Sequence, residues 1–209
     1  MKKKVIIIGA SGFAKEAWGF VNKDRYEVLG FLDSNPKLHG SQLCGLTILG
    51  DDSLLKDLMA NGLDYCFIAI GNPRVRQKIA LNVKSVGLKL LNLIHPSAVI
   101  AETVIIGEGC IIYPNVTINT DGKIGDCVLI NSNVSIGHDI TVGDCVNINP
   151  GANVAGNVNI DQGSFLGIGC NVLENISIDS GITVGGGALV NKDLNEQGIY
   201  VGVPAKRVK

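Results

Sequence analysis

The sequence carries almost no surplus charge: 18 Lys and Arg stand against 19 Asp and Glu, for a formal net charge of −1 over 209 residues. Phosphate-binding surfaces for nucleic acid need a basic surplus, so that class of partner is excluded. Nor is there an apolar run of the roughly 20 residues that a bilayer demands. The opening Met-Lys-Lys-Lys has the look of a signal-peptide head. Val5 to Ile8, however, is followed at once by glycines and charges, which is too short for export. The six cysteines stand singly, without Cys-x-x-Cys spacing, so neither a thiolate metal site nor a disulfide framework is indicated and a cytoplasmic location is expected. With 46% hydrophobic and 18% charged residues there is ample material for a core.

What the sequence does have is a period. From Ile100 to Val190 an Ile, Val or Leu recurs at every sixth residue without a slip, through Ile106, Ile112, Ile118, Ile124, Ile130 and onward. Six fits neither the 3.6 of a helix nor the 2 of a simple strand. It is the mark of a left-handed parallel β-helix of hexapeptide repeats, in which three short sides make one coil and coils stack into a prism. Four residues after each aliphatic lies a second apolar or small residue, such as Cys110, Val116, Val128, Val134, Ile140 and Cys170, which can share the interior. Directly after the aliphatic comes Gly, Asn or Asp in most hexads, as at Gly107, Asn119, Gly125 and Gly137. These residue types tolerate positive φ, which places the tight corner at that position. Three hexads make an 18-residue coil, so residues 18 apart stack. All three walls are expected to be smooth, and smooth walls suit packing against copies of the same chain.

The first ninety residues follow another grammar. Strands are expected at Lys4–Ile8, Tyr26–Leu32, Tyr65–Ile70 and Lys89–Leu93, with helices at Ala14–Val21, Ser53–Ala60 and Val75–Val86. Alternation of this kind argues a small parallel, Rossmann-like α/β sheet over residues 1–93, followed by the β-helix and an extended tail over 94–209. Ligands of such sheets bind beyond the carboxyl ends of the strands, where Ser11, Gly12, Asp33, Ser34, Gly71 and Asn72 all fall. The dinucleotide fingerprint Gly-x-Gly-x-x-Gly is incomplete, since Ser11 and Ala14 take the second and third glycine positions. A single nucleotide or nucleotide sugar fits better: N–H groups near Gly12 at a helix start can meet phosphate, and Asp33 can accept from ribose or base. Tight turns with a capping Asp would leave the same trace.

Only three histidines occur, His39 in a polar loop, His95 in the linker and His138 within the repeats. A β-helical carbonic anhydrase needs three His ligands on its prism, so no metal is expected. A Ser-His-Asp hydrolase lacks its nucleophile elbow. His138 follows Gly137 and precedes Asp139 on the outside of the prism, in a stretch from Asn131 rich in hydrogen-bonding groups. A histidine on an outer wall is, taken alone, most often a solvated side chain.

The hexads carrying His138-Asp139, the closing Gly202-Val203-Pro204-Ala205-Lys206, the Gly9-Ala10-Ser11-Gly12 turn and Ile68-Ala69-Ile70-Gly71-Asn72 together resemble the nucleotide-amino-sugar N-acetyltransferases. Closest in pattern are those acting on a UDP-linked 4-amino-4,6-dideoxy sugar, as in bacillosamine synthesis; GDP-perosamine N-acetyltransferases and the sialic-acid O-acetyltransferase group are similar. The resemblance implies a homotrimer using acetyl-CoA, with active sites between neighbouring prisms. It implies His138 as general base, supported by Asp139, and direct transfer without an acyl-enzyme. Ser11, Gly12, Phe13, Asp33, Ser34, Gly71, Asn72 and Asn131 fall where the family holds the sugar nucleotide. Asn147, Ile168 and Gly186 fall on the wall meeting acetyl-CoA, and Lys206 and Arg207 in the tail can meet CoA phosphates. Phe13 stands where the family often has His, and Asp139 where it often has Glu. Sialic-acid O-acetylation and a non-catalytic trimeric scaffold are the alternatives.

Overall fold

The computed structural model describes residues 1–209. They form two compact units, Met1–Leu93 and Ile94–Lys209. No helix is long and apolar enough to cross a membrane.

The first unit is built on β1 (Lys3–Ile8), α1 (Gly12–Phe20), β2 (Tyr26–Leu32), β3 (Gln42–Leu43), β4 (Leu46–Gly50), α2 (Leu55–Ala60), β5 (Tyr65–Ile68), α3 (Pro73–Ser85) and β6 (Lys89–Leu90). The sheet order is β3-β4-β2-β1-β5-β6, parallel except for the β3–β4 hairpin. Val5, Ile6 and Ile7 are fully buried because β1 lies in the centre with neighbours on both edges. The hairpin has no counterpart among the expected elements. Its two-residue turn is Cys44-Gly45, both with positive φ (50° and 77°), and Cys is not a residue that announces such a turn. Asn72 starts α3 by accepting from the N–H groups of Arg74 and Val75, with Pro73 in the first turn.

In the second unit the hexads form three walls of two-residue strands. The first wall holds Ile111–Ile112, Leu129–Ile130, Asn147–Ile148, Phe165–Leu166 and Thr183–Val184, the second runs from Val99–Ile100 to Leu189–Val190, and the third from Ile105–Ile106 to Ser177–Ile178. Every pairing between hexad strands joins residue i to i+18, as in Ile112 to Ile130 and Ile136 to Val154. The recurring aliphatics and the second apolar positions form one continuous core. Its polar exception is Ser164, which is fully buried and donates its hydroxyl to the Asp179 carbonyl at 2.9 Å.

Two features depart from expectation. Positive φ does not fall directly after the aliphatic. It falls two residues later, at every sixth residue from Gly109 to Gly187, where Asn, Asp, Gly and two cysteines stand. The glycines directly after the aliphatics serve another purpose: a Cβ on Gly137 would lie 2.6 Å from the Ala155 carbonyl carbon, and one on Gly143 would lie 2.6 Å from the Gln162 nitrogen. They are small because the next coil is close. Nor are the walls alike, since the outward positions Ile111, Leu129 and Asn147 of the first wall are buried.

The tail does not run out as a single extended strand. Ile199–Val201 pairs parallel to Thr183–Val184, and Lys206–Arg207 returns antiparallel to it after a turn containing a cis Val203–Pro204 bond. The hairpin continues the first wall and buries Tyr200 and Ala205 against the core.

The two glycine roles predict different responses. Gly143→Ala should lower unfolding stability by about 1–3 kcal/mol, because the added methyl meets immovable backbone. Asp121→Gly, at a positive-φ corner with φ 60°, should stay within about 0.5 kcal/mol. Urea unfolding of both variants checks this, and equal effects would overturn the distinction.

Candidate functional site

In the second unit, His138 and Asp139 sit on the edge between the second and third walls. Asp139 occupies the positive-φ corner position (φ 55°) and its N–H donates to the Thr120 carbonyl one coil below. That pins the backbone and aims the carboxylate at the preceding ring: His138 Nδ1 lies 2.8 Å from Asp139 Oδ2. With Asp139 ionised, Nδ1 carries the proton and donates, leaving the Nε2 lone pair free. Both side chains are open to solvent, at 63% and 62% exposure. One coil above, Gly156 faces the ring so closely that a Cβ there would lie 2.6 Å from Nε2 and 2.7 Å from Cε1. Gly156 has no positive φ to explain it. Its lack of a side chain is the room the imidazole occupies. Sequence reasoning missed this residue, although the signal was present: 156 is 138 plus one coil of 18.

Ile168 and Gly186 stack on the opposite edge of the second wall, between it and the first; Ile168 is 66% exposed, and a Cβ on Gly186 would meet its carbonyl at 3.2 Å. Asn131 lies on that same edge and accepts from the Ser132 N–H at 2.8 Å. In one chain these residues are separated from His138 by the wall's width, roughly 15–20 Å at about 3.3 Å per residue. The expectation for Asn147 needs correcting. It points outward but is only 3% exposed, so it offers no open surface to a ligand. Arg207 also has work within the chain, pairing with Glu196 at 3.5 Å and donating from Nε to the Gln197 carbonyl at 3.1 Å, which ties the returning strand to the loop before it. Lys206 stays exposed beside it.

In the first unit a cavity of about 450 Å³ opens at the carboxyl ends of β1, β2 and β5, and Asp33 and Ser34 line it. Asp33 is doubly engaged: Oδ2 accepts from the Ala10 N–H and Oδ1 from the Asn35 N–H, both at 2.9 Å, while its carbonyl accepts from His39 Nε2 at 2.8 Å. It therefore clamps the β1–α1 turn to the loop after β2. The glycine this crossing demands is Gly9 (φ 109°), where a Cβ would lie 2.6 Å from the Ala69 carbonyl oxygen; the space around Gly12 and Gly71 is open. Ser11 caps α1 without a side-chain bond, so the first N–H groups of that helix remain available to an anion. Phe13 packs edge-on against Phe67 with ring centroids 6.2 Å apart, which places its ring in the helix–sheet contact. Asn72 is occupied in capping α3, and the Gly71 carbonyl accepts from buried Arg76. Ser11, Gly12, Phe13, Gly71 and Asn72 all stand outside the lining of the cavity.

A prism of hexapeptide repeats with an imidazole–carboxylate pair on one edge, preceded by a small parallel sheet with a nucleotide-sized cavity, defines an acyltransferase of the hexapeptide class. Residues 4–83 match the PglD N-terminal domain family and residues 92–120 the bacterial transferase hexapeptide (six repeats). PerB from Caulobacter crescentus, solved in complex with CoA and GDP-perosamine, is 35% identical, with a TM-score of 0.93 over 99% of this chain and 97% of that one. The acetyltransferase domain of PglB from Neisseria gonorrhoeae, in complex with acetyl coenzyme A, is 28% identical with a TM-score of 0.89 over 100% of both chains. WeeI from Acinetobacter baumannii is 28% identical with a TM-score of 0.86 over 99% of this chain and 100% of that one. The chain belongs to the family of nucleotide-amino-sugar N-acetyltransferases, enzymes that use acetyl-CoA.

If Gly156 is the seat of the imidazole, Gly156→Ala should leave the melting temperature close to wild type, since the methyl meets a side chain and not backbone. It should displace the ring and, on the function proposed below, lower acetyl transfer about 10²-fold, the usual penalty for misplacing a reacting group by an ångström. A crystal structure or the imidazole nitrogen shifts would report the lost bond to Asp139. A ring left in place with full activity would remove Gly156 from the site.

Proposed function

We propose that this protein transfers the acetyl group of acetyl-CoA to the 4-amino group of a 4-amino-4,6-dideoxy sugar carried on a nucleoside diphosphate. The observation that carries the reading is the His138–Asp139 pair, bonded through Nδ1 at 2.8 Å with Nε2 left free beside Gly156. The resemblance to bacillosamine-type enzymes taken alone points to UDP as the carrier, whereas the PerB complex holds a GDP sugar, so the base is left to the lining of the cavity.

In this reading the first unit holds the sugar nucleotide, its phosphates against the open N–H groups at the start of α1 and its nucleoside in the cavity beside Asp33 and Ser34. His138 Nε2 takes a proton from the attacking amine as nitrogen bonds to the thioester carbonyl, and Asp139 holds the ring in the tautomer that can accept it. When the carbon–sulfur bond breaks, the imidazolium returns that proton to the CoA thiolate, so the products are the amide and free CoA. No acyl-enzyme is required, because holding amine and thioester together supplies much of the rate. The Gly156 N–H donates to no acceptor within the chain, which makes it available to the developing oxyanion beside Nε2.

The separation of His138 from Ile168 and Gly186 supports the homotrimer that the family resemblance implies. With two prisms side by side, the His138 edge of one can face the Ile168 edge of its neighbour, and acetyl-CoA can lie between them. Lys206 is the tail cation free to reach a CoA phosphate; Arg207 is already committed to Glu196.

His138→Asn should lower kcat by roughly 10²–10⁴, the usual value of a positioned base, and Asp139→Asn by less. CoA release, assayed over UDP-, GDP- and dTDP-linked amino sugars and free sialic acid, tests the acceptor. Activity on sialic acid alone, or wild-type turnover in the His138 variant, would sink this reading. Light scattering should give three times the monomer mass of 22.0 kDa, and a fully active monomer would dismiss the shared site.

A further inference from the structure

The cavity in the first unit holds polar groups that a phosphate or ribose does not call for. Ile70 just past the end of β5 and Val75 and Ile79 on α3 give it an apolar side, and Asp52, Lys78 and Asn82 bring an anion, a cation and an amide to it. Asp52 opens the turn before α2, while Lys78 and Asn82 lie four residues apart on one face of α3. Asn82 donates from Nδ2 to Asp52 Oδ2 at 3.0 Å, a partly buried bond that fixes the carboxylate across the cavity. The other oxygen, Oδ1, accepts nothing from the chain. Unlike Asp33, whose two oxygens both hold backbone N–H groups, Asp52 keeps an acceptor to spare inside a cavity with aliphatic walls.

Resting on the reading that this unit holds the sugar nucleotide, we infer that the Asp52–Asn82 pair reads the base and selects guanine. A flat base suits the aliphatic side formed by Ile70, Val75 and Ile79, and its edge is then turned to the polar groups. Guanine presents two adjacent donors, N1–H and N2–H: Oδ1 can accept one, and Oδ2, which keeps a second lone pair beyond its bond from Asn82, can accept the other. Uracil and thymine present a single N3–H between two carbonyl oxygens, each of which would face the Asp52 charge. Adenine and cytosine set an amino group beside a ring acceptor, which meets the same repulsion. Lys78 can in turn donate to guanine O6, the acceptor next to N1–H. Selection is then both attraction and exclusion, since a wrong base leaves a desolvated carboxylate without a partner.

The test is equilibrium binding of GDP, UDP, dTDP and inosine diphosphate to the full chain, with acetyl-CoA as control. GDP should bind at least about tenfold tighter than UDP or dTDP, the discrimination of one good two-point base contact. Inosine diphosphate lacks only the N2 amino group and should lose about tenfold against GDP on the unaltered protein, which keeps the test independent of any variant's folding. Asp52→Asn should bring GDP down toward UDP while leaving acetyl-CoA affinity unchanged. UDP binding tighter than GDP, or inosine diphosphate equal to GDP, would overturn guanine selection while leaving a nucleotide site in place. No binding of any nucleoside diphosphate would remove the site itself, and with it this inference.

Discussion

The i to i+18 backbone ladder is the constraint on which the second unit depends. Gly107 N–H bonds the Ile124 carbonyl at 2.9 Å, Gly125 that of Val142 at 2.7 Å and Gly143 that of Ile160 at 2.7 Å, so each coil is held to the next along every wall. Each bond contributes only about 0.5–1.5 kcal/mol net. Together they impose the strand spacing of about 4.8 Å on everything that stacks. Interior positions must then be filled by residues whose widths match that spacing, which is why Ile and Val dominate. Positions directly after the aliphatic must let the next coil come close, which is why Gly stands at 137, 143 and 167. The ladder leaves little freedom except outside, and chemistry is placed on the outside edges.

The proposed base and its neighbour show how function is fitted to that constraint. Every hexad corner needs a residue that accepts positive φ, and among ionisable side chains Asp is the best suited to it. Asp139 meets the corner's requirement and, in the same conformation, brings its carboxylate to His138 Nδ1. A longer Glu, frequent here in the family, would meet the backbone requirement less well and need another rotamer to reach the ring. The coil above then has to be bare at the stacked position, and Gly156 is. Three residues on two coils are thus coupled by geometry alone.

Much of this was legible in the sequence, and for a physical reason. A period maintained for sixteen hexads averages over local accidents, so the prism, its interior and the location of His138 outside it could all be read from Ile100 to Val190. The strands and helices of the first unit follow ordinary alternation, and Tyr26–Leu32 agrees to the residue. What could not be read was what two residues share across space. Asp33 reads in the sequence as a residue at a strand end, and only the fold shows that its two oxygens also clamp the Ala10 and Asn35 N–H groups while it lines the cavity. Asn147 looks like a wall residue, and folding buries it. Arg207 looks like a free cation until the tail turns back on itself and meets Glu196. The glycines after the aliphatics misled because two different demands, left-handed backbone and close approach, both select Gly.

The openness of the His138 edge bears on the proposed assembly. A prism edge is convex, and the 63% and 62% exposure of His138 and Asp139 leaves them in contact with bulk water in one chain. There, water screens the carboxylate from the imidazole and competes for Nε2, and a thioester carbonyl approaching that edge keeps its own hydration. A general base is most effective where its partner charge is felt and the reacting carbonyl is stripped of solvent. No part of this chain's second unit rises beside the edge to provide that, because the walls run without insertion from Ile100 to Val190. In the proposed assembly that cover comes from a surface that is flat, parallel to the prism axis and matched to a wall of the same pitch. Another copy of the prism is such a surface by construction, so the regularity that makes the fold legible also favours a site completed by a neighbour.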